Sequence, residues 1–123
     1  MVKLIAGMKR KPGMPAAEFH RYWRDVHAPL VQTVPEFFGL VRKYVQSHAL
    51  ETKTAEAMGF RASEFDGVAE LWFNSEADMV KAFTAPRYLE VIRRDEEKFI
   101  DLASVKLVIA ETVPIYSSDA REQ

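Results

Sequence analysis

An α+β fold is predicted by three observations. Short apolar, β-branched runs and amphipathic helical stretches follow one another as strand, helix, strand, strand, helix, strand. That βαββαβ order is the split βαβ, or ferredoxin-like, pattern: an antiparallel four-stranded sheet with both helices on one face. The chain of 123 residues is 48% hydrophobic, which suits one packed core over residues 1–116. The third observation is that strand residues carry large apolar groups on both faces, so a sheet covered by helices on one side only still needs a partner on the other.

Taken in order, Val2–Met8 (VKLIAGM) reads as the first strand, ended by a basic run, Lys9–Lys11, and a turn at Pro12 and Gly13. The basic run is read as a solvated turn. Pro15 fits a first helical position, where a missing N–H costs nothing, and Glu18 suits the first turn. Ala16–Pro35 is then an amphipathic helix with Phe19, Tyr22, Trp23, Val26 and Leu30 on one face. Pro29 has no N–H for the carbonyl four residues back, so the regular helix is expected to end or kink near His27.

Leu40–His48 is the second strand, with Arg42, Tyr44, Gln46 and His48 on one face and Val41, Val45 and Ser47 on the other. The connection Glu51–Asp66 is long and carries Met58, Phe60 and Phe65, which suit either a lid over a pocket or packing over the sheet edge. Gly67–Phe73 is the third strand, with Val68, Glu70 and Trp72 on one face and Ala69, Leu71 and Phe73 on the other. Ser75 with Asp78 resembles a capping box for a helix running to about Thr84, where Pro86 breaks it. A second helical piece is expected from Tyr88 to about Leu102, a last strand over Val105–Val113, and a flexible tail over Ser117–Gln123.

Composition narrows the function. Lys plus Arg number 17 and Asp plus Glu 18, which gives no electrostatic reason to expect nucleic acid or an anionic membrane surface. The chain has no cysteine, so disulfides and thiolate metal sites are excluded. No apolar run is long enough to span a bilayer and no signal-peptide pattern opens the chain, so a cytoplasmic protein is expected. GxGxxG, Walker, GxSxG and HExxH motifs are all missing.

The bare sheet face would carry either Val41, Val45, Leu71 and Phe73, or Tyr44, Glu70 and Trp72. Neither set is fully polar. Two such faces meeting each other would close a barrel, so a homodimer is expected.

The run KRKPG followed by EFHRYWRDVHAPLV, then GLVRKYVQSH, FDGVAELWF and DEEKFID, resembles the EthD family from Lys9 to Tyr116. The most specific segments are YWxxxHxP (Tyr22, Trp23, His27, Pro29), RKYVQSH ending at His48, and DGxAELWF from Asp66 to Phe73. The resemblance implies the dimeric α+β barrel superfamily and a site in the cleft between sheet and helices. A Ser or Thr often caps the first helix in such proteins, whereas Met14-Pro15 stands here. Dehydratases of aromatic polyketide pathways are the nearest enzymatic analogy, and it is one of fold.

Three residues are candidate catalytic groups. His27 sits where the helix is expected to end, beside the aromatic stripe; the helix terminus raises its pKa and burial lowers it, which suits an acid or base near neutrality. His48 ends the second strand, at a possible pocket mouth. Asp95 falls on the apolar face set by Tyr88, Ile92 and Phe99, where a carboxylate needs a partner such as His27, Lys or Arg. His20, one position off the stripe, is read as a rim residue, and Glu70 as a partner of Arg42. Tyr22, Trp23, Tyr44 and Trp72 are candidate walls for a flat aromatic substrate.

The first reading is a cofactor-independent lyase, dehydratase or isomerase acting on a hydrophobic, aromatic or polyketide-like molecule, with His27 as acid or base assisted by His48 or Asp95. No metal or cofactor is expected. Alternative readings are a cofactor-free or haem-dependent monooxygenase and a non-catalytic small-molecule-binding protein.

Overall fold

The computed structural model describes residues 1–119, so the last four residues of the predicted tail lie outside the described residues. Strand β1 (Val2–Arg10) is followed by helix α1, residues 16–31, the one-turn helix α2 (Pro35–Phe38) and strand β2 (Val41–His48). A one-turn helix α3 (Thr54–Ala57) interrupts the long connection to β3 (Gly67–Phe73). Helix α4 (Glu76–Thr84), helix α5 over residues 88–96 and strand β4 (Ile100–Glu111) complete the chain. The four strands form one antiparallel sheet in the order β2-β3-β1-β4, the ferredoxin-like arrangement, with the sheet left open.

Helix α1 does not stop at His27. Its first turns (Ala16–Tyr22) are α-helical, Trp23–His27 is π-helical, and Ala28–Val31 is α-helical again. The Ala28 N–H reaches back five residues to the Trp23 carbonyl. The wider turn accommodates Pro29 just beyond it, so the helix carries on where a break was expected. It also rotates the buried face. An α-helix would carry the stripe from Trp23 to Val26 and Leu30, but a π turn takes more than four residues. The buried positions are Phe19, Trp23, His27 and Val31, while Val26 is 38% exposed. The π turn thus puts a histidine in the core where the α-helical period put a valine.

Ser75 caps α4 as expected, its hydroxyl accepting the Asp78 N–H at 3.1 Å. Helix α5 is again partly π-helical, over Tyr88–Arg93, and ends by residue 96 rather than near Leu102. The chain leaves the helix early because β1 recruits it: Lys9 pairs with Asp101, Arg10 with Ile100, and the Lys11 N–H reaches the Phe99 carbonyl at 2.9 Å. Strand β4 therefore starts five residues before the predicted Val105.

The register of β2 corrects the expected face assignment. An irregularity between Val41 and Lys43 sets Val41 opposite Phe73, yet Tyr44 opposite Leu71 and Val45 opposite Glu70. Val41, Tyr44, Gln46 and His48 therefore share the helix-covered face with Leu71 and Phe73. Val45 and Lys43 share the bare face with Glu70 and Trp72. Glu70 pairs with Lys3 at 2.7 Å, not with Arg42. Trp72 lies between the Lys3 and Lys43 ammonium groups, each 4.9 Å from its ring centroid. In the long connection, Phe65 packs against Gly7 on this same bare face and closes nothing over the helix side, while Met58 and Phe60 stay exposed.

The core lies between the sheet and the helices, with Phe19, Trp23, Phe73, Tyr88 and Phe99 as its largest fully buried side chains. Trp23 fits only because β3 begins with glycine: a Cβ at Gly67 would fall inside the van der Waals surface of the indole. We therefore expect Gly67→Ala to destabilise the protein by roughly 1–3 kcal/mol, the usual range for overpacking. Denaturant unfolding measures it, and an unchanged midpoint would contradict the packing described.

Candidate functional site

A cavity of about 560 Å³ lies between the sheet and the helical layer. The sheet contributes apolar walls, including Leu4 and Ala6 of β1, Leu71 of β3, and Leu107 and Ile109 of β4. Trp23 and Phe37 close it from the helix side. Its polar groups come chiefly from two helices: His27 of α1, and Tyr88, Arg93 and Glu96 of α5. The Tyr44 hydroxyl adds one from the sheet.

His27 and Asp95 are each only 4% exposed. Their bond joins the two helices: His27 Nδ1 donates to Asp95 Oδ2 at 2.7 Å. The other carboxylate oxygen accepts the Tyr22 hydroxyl at 2.5 Å. Lys98 Nζ stands 3.8 Å from that oxygen, at the exposed edge. Asp95 thus receives donors on both oxygens, as a buried carboxylate requires. With Nδ1 committed to Asp95, Nε2 is the nitrogen left for chemistry, and it faces Glu96. Burial lowers the His27 pKa, and the Asp95 bond and charge act against that shift. The outcome is a ring below the ordinary histidine value, hence neutral at pH 7.

Glu96 is the group that periodicity did not bring out. Its Oε1 accepts the Tyr88 hydroxyl at 3.0 Å and lies 3.3 Å from Arg93 Nε, while Oε2 lies 3.9 Å from His27 Nε2. Burial pushes its pKa up to about 7, against the hydrogen bonds from Tyr88 and Arg93 that favour the charged form. In the sequence it is one of a DEE run that looks like a solvated helix end. Spacing at 3.6 residues brings Asp95 inward but not its neighbour; after the π turn Tyr88–Arg93, which that periodicity does not anticipate, Glu96 faces His27 as well.

Tyr44 is raised above the ordinary phenol value by burial, while hydrogen bonds from Gln46 and Trp23 oppose the rise and the nearby Glu96 charge adds to it. The Gln46 amide donates to the Tyr44 oxygen at 2.8 Å. Tyr44 therefore belongs to the same polar end as Glu96, with its own O–H available to a ligand.

Of the sequence candidates, the structure brings together His27, Asp95, Tyr22, Trp23 and Tyr44. Trp23 and Tyr44 line the cavity, whereas Tyr22 stands behind it as a support for Asp95. His48 is elsewhere. It packs on Trp23 with ring centroids 4.6 Å apart, meets His20 nitrogen to nitrogen at 2.8 Å, and bonds the Gln46 side-chain oxygen at 2.8 Å. It does not line the cavity, and His27, His48 and Asp95 do not form a trio. Trp72 is on the bare face of the sheet. Among the described residues, no group of three metal-ligating side chains converges.

The EthD domain model matches residues 11–103, three quarters of the chain and both helices that build the site. The chain belongs to the EthD family. Among its EthD relatives, a conidial pigment biosynthesis dehydratase of Metarhizium robertsii is 30% identical over 105 residues, covering 81% of this chain and 74% of that protein. An EthD family protein of Bacillus halodurans has the same fold, with TM-score 0.64 at 22% identity over 92% of this chain and 99% of its own. A protein of Bacteroides fragilis, described as dimeric and ferredoxin-like, gives 0.62 at 14% identity over 90% of this chain and 95% of its own. No helix among the described residues of this EthD chain is long and apolar enough to cross a membrane.

Glu96 and His27 act on stability in opposite directions as pH changes. Glu96 holds its proton more tightly folded than unfolded, so its contribution is full below about pH 4.5 and is lost as pH rises to about 7. His27, with a lowered folded pKa, contributes stability at neutral pH that is lost as pH falls below 6.5. Thermal midpoints of wild type and Glu96→Gln, compared from pH 4.5 to 7.5, separate the two. The wild type should lose stability relative to the variant as pH rises, and parallel curves would contradict a protonated Glu96.

Proposed function

We propose that this EthD protein is a cofactor-independent dehydratase acting on a hydrophobic, aromatic or polyketide-like molecule, with His27 as its general base. One observation carries the reading: an imidazole fixed through Nδ1 by a buried carboxylate has its Nε2 left for a ligand at the edge of an apolar cavity large enough for a bicyclic aromatic. The dehydratase name of the Metarhizium relative supports an enzyme of the lyase class.

Dehydration next to a carbonyl starts with removal of a C–H proton. Nε2 takes that proton, and Asp95 stabilises the imidazolium that results while keeping the ring in the Nδ1–H tautomer. The Tyr44 hydroxyl, its oxygen already receiving the Gln46 amide, donates to the substrate carbonyl and stabilises developing enolate charge. The apolar walls exclude water and strengthen both interactions. An isomerase would share this first step and differ only in where the proton returns.

A β-hydroxy aryl ketone such as 3-hydroxy-1-tetralone tests the reading, because its loss of water ends in 1-naphthol and is followed by absorbance. His27→Ala should lower kcat about 100-fold or more, and Asp95→Asn about 10-fold or more. His48→Ala should stay within a few-fold, since that ring lies outside the cavity lining. Full activity in His27→Ala would remove the mechanism.

We further infer a homodimer joined through the bare sheet face. Ile5, Val45, Val68, Trp72 and Val108 share that face, and Val108 is 57% exposed in the single chain. The Bacteroides neighbour, itself described as dimeric, supports a dimer. Light scattering should give twice the chain mass; a monomer at micromolar concentration would contradict it.

A further inference from the structure

Resting on the dehydratase reading, we propose that Glu96 is the second catalytic residue, the acid that protonates the departing hydroxyl, and that water leaves from the same side of the substrate as the proton. Two features of the geometry point there. Glu96 divides its oxygens: Oε1 is held by Tyr88 and Arg93, and Oε2 is turned toward His27 Nε2 at 3.9 Å. That gap is too long for a direct hydrogen bond. It is the right size for one oxygen atom at ordinary hydrogen-bond distance from both, or for a C–H and a C–OH on neighbouring carbons.

Both groups also belong to the helical wall of the cavity. A base and an acid that reach the substrate from one wall, this close together, can serve a hydrogen and a hydroxyl only when those lie on the same side of the C–C bond. Elimination from opposite sides would need the acid on the sheet wall, which lines the cavity with apolar groups such as Leu4, Ala6, Leu71 and Ile109, and whose Tyr44 hydroxyl is already committed to the substrate carbonyl. The stereochemistry is therefore syn.

The step balances without a co-reactant. The C–H electron pair forms the new C=C bond as its proton passes to His27 Nε2. The C–O bond breaks, and its electron pair leaves with oxygen, which takes the Glu96 proton and becomes water. Imidazolium and carboxylate then stand 3.9 Å apart, and the water between them returns the proton from His27 to Glu96.

The resting protonation states suit this division. Burial keeps His27 neutral and keeps Glu96 protonated until about pH 7. The groups facing Glu96 are His27 of α1, Tyr44 of β2, and Tyr88, Arg93 and Asp95 of its own helix. Of these, Arg93 and the Tyr88 hydroxyl favour the carboxylate, and Asp95 disfavours it.

The experiment has two arms. Carbon-13 NMR of the glutamate carboxyls, with Glu96→Gln for assignment, follows Glu96 in the free protein. It should hold its proton at pH 6, and ionisation complete by pH 5 would overturn the proposal whatever the substrate. The second arm uses 3-hydroxy-1-tetralone carrying deuterium on one face of C2. Wild type should remove the C2 hydrogen syn to the hydroxyl, Glu96→Gln should lose about 100-fold or more in kcat, and Glu96→Asp should recover part of that. The wild-type profile should fall on the alkaline side near pH 7. Turnover in which Glu96→Gln keeps wild-type kcat, or in which the anti hydrogen leaves, overturns Glu96 and spares the dehydratase reading. A Glu96 that stays protonated in a protein that leaves the ketone untouched instead counts against the dehydratase reading.

Discussion

The hydrogen bond between His27 and Asp95 is the constraint on which the site depends. It joins two helices that are far apart in sequence, and it does so inside the core, where both partners are almost fully buried. An unpaired carboxylate there would be strongly destabilising, so Asp95 demands a donor on each oxygen and receives His27 and Tyr22. Meeting that demand fixes the tautomer of His27 and leaves Nε2 as the only ring nitrogen facing Glu96. The structural requirement and the chemical one are satisfied by the same bond.

Two π-helical turns make the bond possible. One carries His27 inward in place of Val26, and the other precedes Asp95 and Glu96. Each takes up more residues than an α turn, so the residues beyond it are presented on a rotated face. In α1 the wider turn also accommodates Pro29 without ending the helix. Gly67 completes the arrangement from the sheet side by letting the Trp23 ring lie against β3, which sets the depth of the helix above the cavity.

The architecture is legible in the sequence because element order and β-branched runs depend on local preferences, and these agree with the topology. Asp95 is legible for a related reason: a carboxylate spaced with Tyr88, Ile92 and Phe99 has to be buried. The π turns are not legible, since periodicity is counted at 3.6 residues. That single assumption places Val26 inside and leaves Glu96 unnoticed in a run of acids. The bulge in β2 has the same effect on a strand: counting by twos groups Val41 with Val45, whereas the observed register sends them to opposite faces and separates Tyr44 from Trp72. His48 shows the limit of reading residue type alone. It bonds polar neighbours and packs on Trp23, one ring removed from the cavity lining.

The account stands on a neutral His27 whose Nδ1 carries the proton and whose Nε2 is free. Nitrogen-15 NMR of the histidine rings at pH 7 reads this directly, with Asp95→Asn as the comparison. The account predicts one neutral ring with an Nδ1-bound proton that exchanges slowly with water, and loss of that tautomer preference in the variant. A His27 found as imidazolium at pH 7, or as the Nε2–H tautomer, would contradict it.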